Sequence, residues 1–172
     1  MKKIIASLLA LLWFTTACGQ STETEAQLPR VYDEAVNPLE QIDQAVAKAK
    51  AEGKFVVCQV GGNWCPWCLR FAAFVSNDST ISQVISDNFV YIHVNYNRSR
   101  TVGEEQLQLS QAVMQRLDNP GRFGFPVFVV LDGEGKVLHI QDSSFLEEGR
   151  GYNQEKVLRF FNNWTPHAVR GQ

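Results

Sequence analysis

The sequence predicts one α/β domain, a mixed four-stranded sheet covered by helices on both faces. Three observations lead there. Short apolar runs rich in β-branched residues, at 55–60, 89–95 and 127–131, are separated by stretches of helical period. The turn Asp132-Gly133-Glu134-Gly135 joins the third run to a fourth at 136–141, which makes an antiparallel hairpin. Finally, 172 residues that are 45% hydrophobic and 20% charged suffice for one core and fall short of two.

Each element has its own justification. Residues 38–52 form a helix, because Ile42, Ala45, Val46 and Ala49 share one face and Gly53 supplies the stop. The run at 55–60, bounded by Gly53 and by Gly61-Gly62, reads as a buried strand. A helix then starts at a cysteine motif and continues through Leu69, Ala72 and Ala73 until Asn77-Asp78-Ser79 breaks it. A short helix follows at 80–87. Val90, Ile92 and Val94 alternate within 89–95, so that strand has one core face. Residues 96–103 are polar and loop-like. Leu109, Val113, Met114 and Leu117 place a helix at 104–117. After the loop 118–124, Pro126 opens the strand 127–131, apolar on both faces and therefore central. Residues 142–152 form a longer loop. The last helix, 153–164, offers Val157, Leu158, Phe160 and Phe161 for packing, with Trp164 at its end. No repeat and no second domain is visible. Strands separated by helices point to parallel pairing, the closing hairpin to antiparallel.

Formal net charge is −2, and Arg98 with Arg100 is the nearest approach to a basic stripe. Phosphate neutralisation needs clustered cations, so nucleic acid is excluded as a partner. The N-terminus speaks to compartment. Lys2 and Lys3 precede an apolar run at 4–14, which suits a signal peptide and is short of the ~20 residues that span a bilayer. Small residues and then Cys18 follow, an arrangement that resembles the lipobox of bacterial lipoproteins. The resemblance implies a lipoprotein signal peptide at 1–17, lipid attachment at Cys18, and a lipidated N-terminus and flexible tether at 18–37. The domain at 38–166 would then be periplasmic and membrane-anchored, with Gly19 leaning towards the outer membrane. The alternative is a secretory signal cleaved near Ala17, leaving Cys18 as a free thiol. Both readings export the domain.

The chemistry sits at Trp64-Cys65-Pro66-Trp67-Cys68. At a strand-to-helix junction, backbone N–H groups of the first helical turn point at the first cysteine's sulfur, and the helix dipole adds positive charge there. Both effects favour a thiolate near neutral pH. Three residues on is almost one helical turn, which brings the second sulfur within bonding distance. Cys65 is thus expected to be the exposed nucleophile and Cys68 the buried resolving thiol. Pro66 suits the first helical turn, where its missing N–H costs nothing. Two other uses stay open. A static disulfide is compatible with an exported protein. A zinc half-site needs more ligands, and Cys58, His93, His139 and His167 do not supply a second half; no metal or cofactor is expected. Cys58 reads as a small buried hydrophobe, and His93 and His139 as satisfied structural residues.

Gly61-Gly62-Asn63-Trp64-Cys65-Pro66-Trp67-Cys68 resembles the active-site segment of the thioredoxin superfamily, especially its thioredoxin-like group found as periplasmic domains and lipoproteins. The segment Gly124-Phe125-Pro126-Val127-Phe128 resembles that family's cis-proline strand. The resemblance implies a thioredoxin-like fold and a redox disulfide between Cys65 and Cys68. It also implies a cis bond between Phe125 and Pro126 facing that pair, where partner backbone docks. Trp64 and Trp67 add aromatic docking surface. Gln59 departs from the family pattern: it stands six residues before Cys65, where many thioredoxins carry a buried Asp that helps move the resolving thiol's proton. Proton transfer from Cys68 then falls to water, to the Cys65 thiolate or to another group. Trp67 brings the dipeptide closer to the Cys-Pro-aromatic-Cys of glutaredoxins.

The expected function is thiol:disulfide exchange with exported proteins that carry thiols or disulfides, in a reductase or isomerase direction, beside a membrane redox donor or acceptor. The alternative is a lipoprotein that binds Cu(I) or a thiol-bearing client without turnover.

Overall fold

The computed structural model describes residues 28–97 and 103–171. Helix α1 (Pro38–Glu52) starts where the Asn37 side chain accepts hydrogen bonds from the Leu39 and Glu40 N–H groups, with Pro38 in the first turn. It ends at Gly53, whose φ of 69° is the left-handed stop. Strand β1 (Phe55–Gly61) is buried at every residue. The break after α2 (Pro66–Asn77) is a cap: extended Asp78 accepts from the Thr80 and Ile81 N–H groups and starts α3 (Ser79–Asn88). Strand β2 (Phe89–Asn95), helix α4 (Glu104–Arg116), strand β3 (Val127–Leu131) and strand β4 (Val137–Asp142) follow.

The sheet order is β2-β1-β3-β4. β1 and β2 run parallel, as their helical connection requires. β3 pairs antiparallel with both β1 and β4. Separation by a helix therefore predicts parallel pairing for β1 and β2 only. The chain after α4 re-enters from the opposite end of the sheet, between β1 and β4, so β3 is central but reversed. The fold is the expected mixed α/β sheet with helices on both faces.

Alternation along the strands assigns each face. Val56, Cys58, Val60, Val127 and Val129 meet α1 and α4. Phe55, Val57, Phe128 and Val130 meet α2, α3 and α5 (Gln154–Asn163). Phe71, Phe128 and Phe161 are fully buried there, each contributing about 1.5–3 kcal/mol of transfer free energy.

Three regions differ from expectation. The loop at 142–152 contains a 3-10 turn (Ser143–Leu146) and a short hairpin of β5 (Glu147–Glu148) with β6 (Gly151–Tyr152). These elements are too short for a periodic signal. A further helix, α6 (Pro166–Arg170), is capped by Thr165. The described part of the expected tether, 28–37, is not simply solvated. Tyr32 is buried, and the Asn63 side chain bonds both its N–H (3.2 Å) and its carbonyl (2.8 Å). The signal peptide and Cys18 lie outside the described residues.

Candidate functional site

Gly61 ends β1 and the chain turns through Gly62 and Asn63 into α2. Cys65 is the N-cap of α2, extended at φ −107°, and its sulfur accepts the Cys68 N–H at 3.2 Å. Pro66 occupies the first helical turn. The two cysteines are disulfide-bonded with Cα atoms 5.2 Å apart. Cys65 is 5% exposed, so it is largely covered and not the exposed nucleophile expected, and Cys68 is fully buried; what access there is leads to the first sulfur and not the second.

Across from the pair, the Phe125–Pro126 peptide bond is cis. The Phe125 carbonyl oxygen lies 3.6 Å from the Cys65 sulfur. This loop belongs to the family of contacts that the topology alone creates, because 60 residues separate the two groups. Trp64 is 41% exposed, sets its ring edge-on to Phe125, and donates through Nε1 to the Tyr96 carbonyl at 2.9 Å. Phe125 in turn stacks on Tyr96 at 4.9 Å. Trp67 packs partly against the cysteine cluster and sets its ring edge-on to Tyr152, with the Arg70 guanidinium over it. The residues singled out in the sequence therefore divide. Trp64, Cys65, Pro66, Phe125 and Pro126 share one mouth, whereas Trp67 flanks it.

Beneath Cys68 lies a polar cluster that only partly shows in the sequence. Gln59 is fully buried. Its amide nitrogen donates to the Tyr32 hydroxyl at 2.6 Å and to the Cys68 carbonyl at 2.9 Å, and its amide oxygen accepts from the Tyr91 hydroxyl. The residue in the place of the family's acid thus cannot titrate but is saturated with bonds. His93, beside Gln59 in the β1–β2 register, packs edge-on to Tyr32 and Tyr91. Burial lowers its pKa to about 4, and its Nε2 is buried without a hydrogen-bond partner. The expectation of a satisfied structural histidine is corrected on that point, since its ring neighbours are aromatic faces rather than acceptors. His139 does pack as expected, stacked on Trp164 at 4.4 Å. Cys58 faces the α1 and α4 side of the sheet, away from the pair, and burial pushes its thiol up to about 12.

Sequence reasoning missed Tyr32 and Tyr91. Tyr91 was hidden by the alternation that put its neighbours on the core. The signal for Tyr32 was Val31-Tyr32, an apolar pair inside a polar stretch. Among the described residues, no group of three or more His, Cys, Asp or Glu side chains is arranged to hold a metal ion. Among them, too, no helix is long and apolar enough to cross a membrane.

A mixed four-stranded sheet, a Cys-x-x-Cys disulfide capping a helix, and a cis-proline beside it define a thioredoxin-like protein with a redox-active cysteine pair. The chain belongs to the Thioredox_DsbH family, described as a protein of unknown function, DUF255, whose model matches residues 21–163. Among solved structures it is similar to a disulphide isomerase from Xylella fastidiosa Temecula1, with a TM-score of 0.64 at 24% identity over 79% of this chain and 97% of that one. It is also similar to a protein described as DsbH oxidoreductase (TM-score 0.50, 20% identity, 79% and 85% covered). A thioredoxin from Thermus thermophilus shares the fold as well (TM-score 0.53, 21% identity, 76% and 88% covered). No curated protein matches the chain at a significant level.

Proposed function

We propose that this member of a thiol:disulfide oxidoreductase family exchanges disulfides with exported proteins in the reducing or isomerising direction. The observation that carries the reading is the asymmetric placement of the pair. Cys65 is at the helix N-terminus beside the Phe125 carbonyl, while Cys68 is sealed behind it. In the reduced protein, the Cys65 thiolate attacks a partner disulfide, forming a mixed disulfide and releasing one partner thiolate. The Cys68 thiolate then attacks the Cys65 sulfur. The Cys65–partner bond breaks, the second partner thiolate takes a proton from water, and two electrons have passed to the partner. Docking of partner backbone beside cis-Pro126 and of apolar side chains on Trp64 accompanies this reading.

The reduction potential tests it. Full-length protein equilibrated in glutathione or dithiothreitol buffers is expected to give a value nearer ~−270 mV than ~−120 mV. A value near the upper figure would make it an oxidant, and a pair resisting reduction well below ~−300 mV would be structural.

The proposal extends to address: Cys18 carries lipid and holds the domain at the periplasmic side of a membrane, within reach of a membrane redox partner. The alanine variant Cys18→Ala is expected to move the protein from the membrane to the soluble fraction. Retention on the membrane would remove the lipid anchor from the reading.

A further inference from the structure

The segment before the domain delivers Tyr32 to the resolving cysteine. Asn63, in the turn just ahead of the pair, clamps the Tyr32 backbone from both sides, and Glu34 accepts from the same Asn63 amide at 2.9 Å. Tyr32 is thereby packed with Cys65, Cys68 and Leu69. Gly61 reports how close the approach is. A Cβ there would lie 2.4 Å from the Cys68 sulfur and 2.9 Å from the Tyr32 hydroxyl, so the two groups converge on the space above one α-carbon.

The hydrogen bonds around Gln59 determine where the Tyr32 proton is free to go. The Cys68 carbonyl can only accept, so it fixes which end of the Gln59 amide faces α2. The same amide nitrogen also reaches Tyr32, whose oxygen therefore accepts. The tyrosine proton is left over, and it is not spent on His93 Nε2, which has no hydrogen-bond partner. When the disulfide opens, the adjacent Cys68 sulfur becomes an acceptor.

We propose that Tyr32 is a positioning residue for the resolving step: its hydroxyl, oriented by Gln59, donates a hydrogen bond to the Cys68 thiolate and so favours that thiolate where the family's buried acid is absent. The inference rests on the exchange reading above. The Cys68 proton leaves to water, and the thiolate that remains is held by a neutral donor rather than generated by a base. It then attacks the Cys65 sulfur with the balance already given. Among the described residues, the titratable groups around this point are few. Tyr91 and His93 come from β2, Tyr152 from β6 and Tyr32 from the leading segment, with Cys58 of β1 on the other face of the sheet. Burial keeps the tyrosines and Cys58 protonated and His93 neutral across the neutral and mildly alkaline range. Arg70 over the Trp67 ring and the Arg30–Glu34 pair beyond Asn63 are the nearby charges.

Reduced full-length protein mixed with Ellman's reagent in a stopped-flow instrument separates the steps. Cys65 releases the first thionitrobenzoate, and Cys68 releases the second when it resolves the mixed disulfide. A hydrogen bond to a thiolate is worth about one pH unit in its ionisation. Loss of that bond cuts the thiolate fraction about tenfold, while the more basic thiolate attacks roughly threefold faster. For Tyr32→Phe, the second phase is therefore expected to slow about threefold relative to the first at pH 7, with its midpoint about one pH unit higher. Above both midpoints the variant should overtake the parent, a crossing that loosened packing does not produce. A folded Tyr32→Phe protein whose second phase keeps the parental midpoint overturns the proposal. If that variant does not fold, Asn63→Ala, which frees the Tyr32 backbone, must raise the midpoint too, and an unmoved midpoint there overturns it equally. A parent protein that gives no second phase overturns the exchange reading itself.

Discussion

Cys65→Ser is expected to lose thiol:disulfide exchange by about 10³-fold or more, the usual scale for removing an attacking nucleophile. The reason is geometric. Cys68 is fully buried behind its partner, so among the described residues no second sulfur can meet a partner disulfide. Cys68→Ser should behave differently. Cys65 is then released from the disulfide at the N-terminus of α2, where the Cys68 N–H points at it. It still attacks, and the reaction stops at the mixed disulfide. A glutathione-reduction assay measures the first effect, and intact-protein mass measures the second as a stable glutathione adduct. A Cys65→Ser protein that keeps exchange activity, or a Cys68→Ser protein that accumulates no adduct, contradicts the assigned order of the two thiols.

Acid is expected to destabilise the fold through His93. Its pKa is about 4 in the folded protein against 6.5 ordinarily, because burial disfavours the imidazolium. Between those values the unfolded chain binds more protons than the native one. Stability therefore rises with pH across this window and is lost as pH falls from 6.5 through about 4, by about 3 kcal/mol in all. Urea unfolding of the parent protein should show that slope. His93→Phe keeps an aromatic ring between Tyr32 and Tyr91 and removes the unpartnered Nε2. The variant should be at least as stable at pH 7 and nearly flat across the window. An unchanged slope in the variant would assign the acid sensitivity to other groups.

Local signals carried the elements far. Gly53 and the break at Asn77-Asp78-Ser79 are signals whose chemistry is complete within a few residues, and the structure ends α1 and α2 there. The alternation of Val90, Ile92 and Val94 is a property of one strand and needed no partner to be seen. Cys65 and Cys68 were legible for the same reason, since the disulfide spans less than one helical turn. Reversal of β3 was not legible, because direction depends on how the chain crosses the sheet, and residues within a strand carry no mark of it. The same holds for the hairpin at 147–152, too short to have a period.

By itself, then, the sequence determined the order of the four sheet strands and the five helices α1 to α5, and the cysteine pair, all set by contacts between near neighbours. Tertiary structure alone decided what stands around the pair. It brought Phe125 to Cys65 across 60 residues and Tyr32 to Gln59 across 27, and it left His93 without an acceptor. Such contacts arise from chain crossing and packing between distant segments, and no spacing in the sequence encodes them.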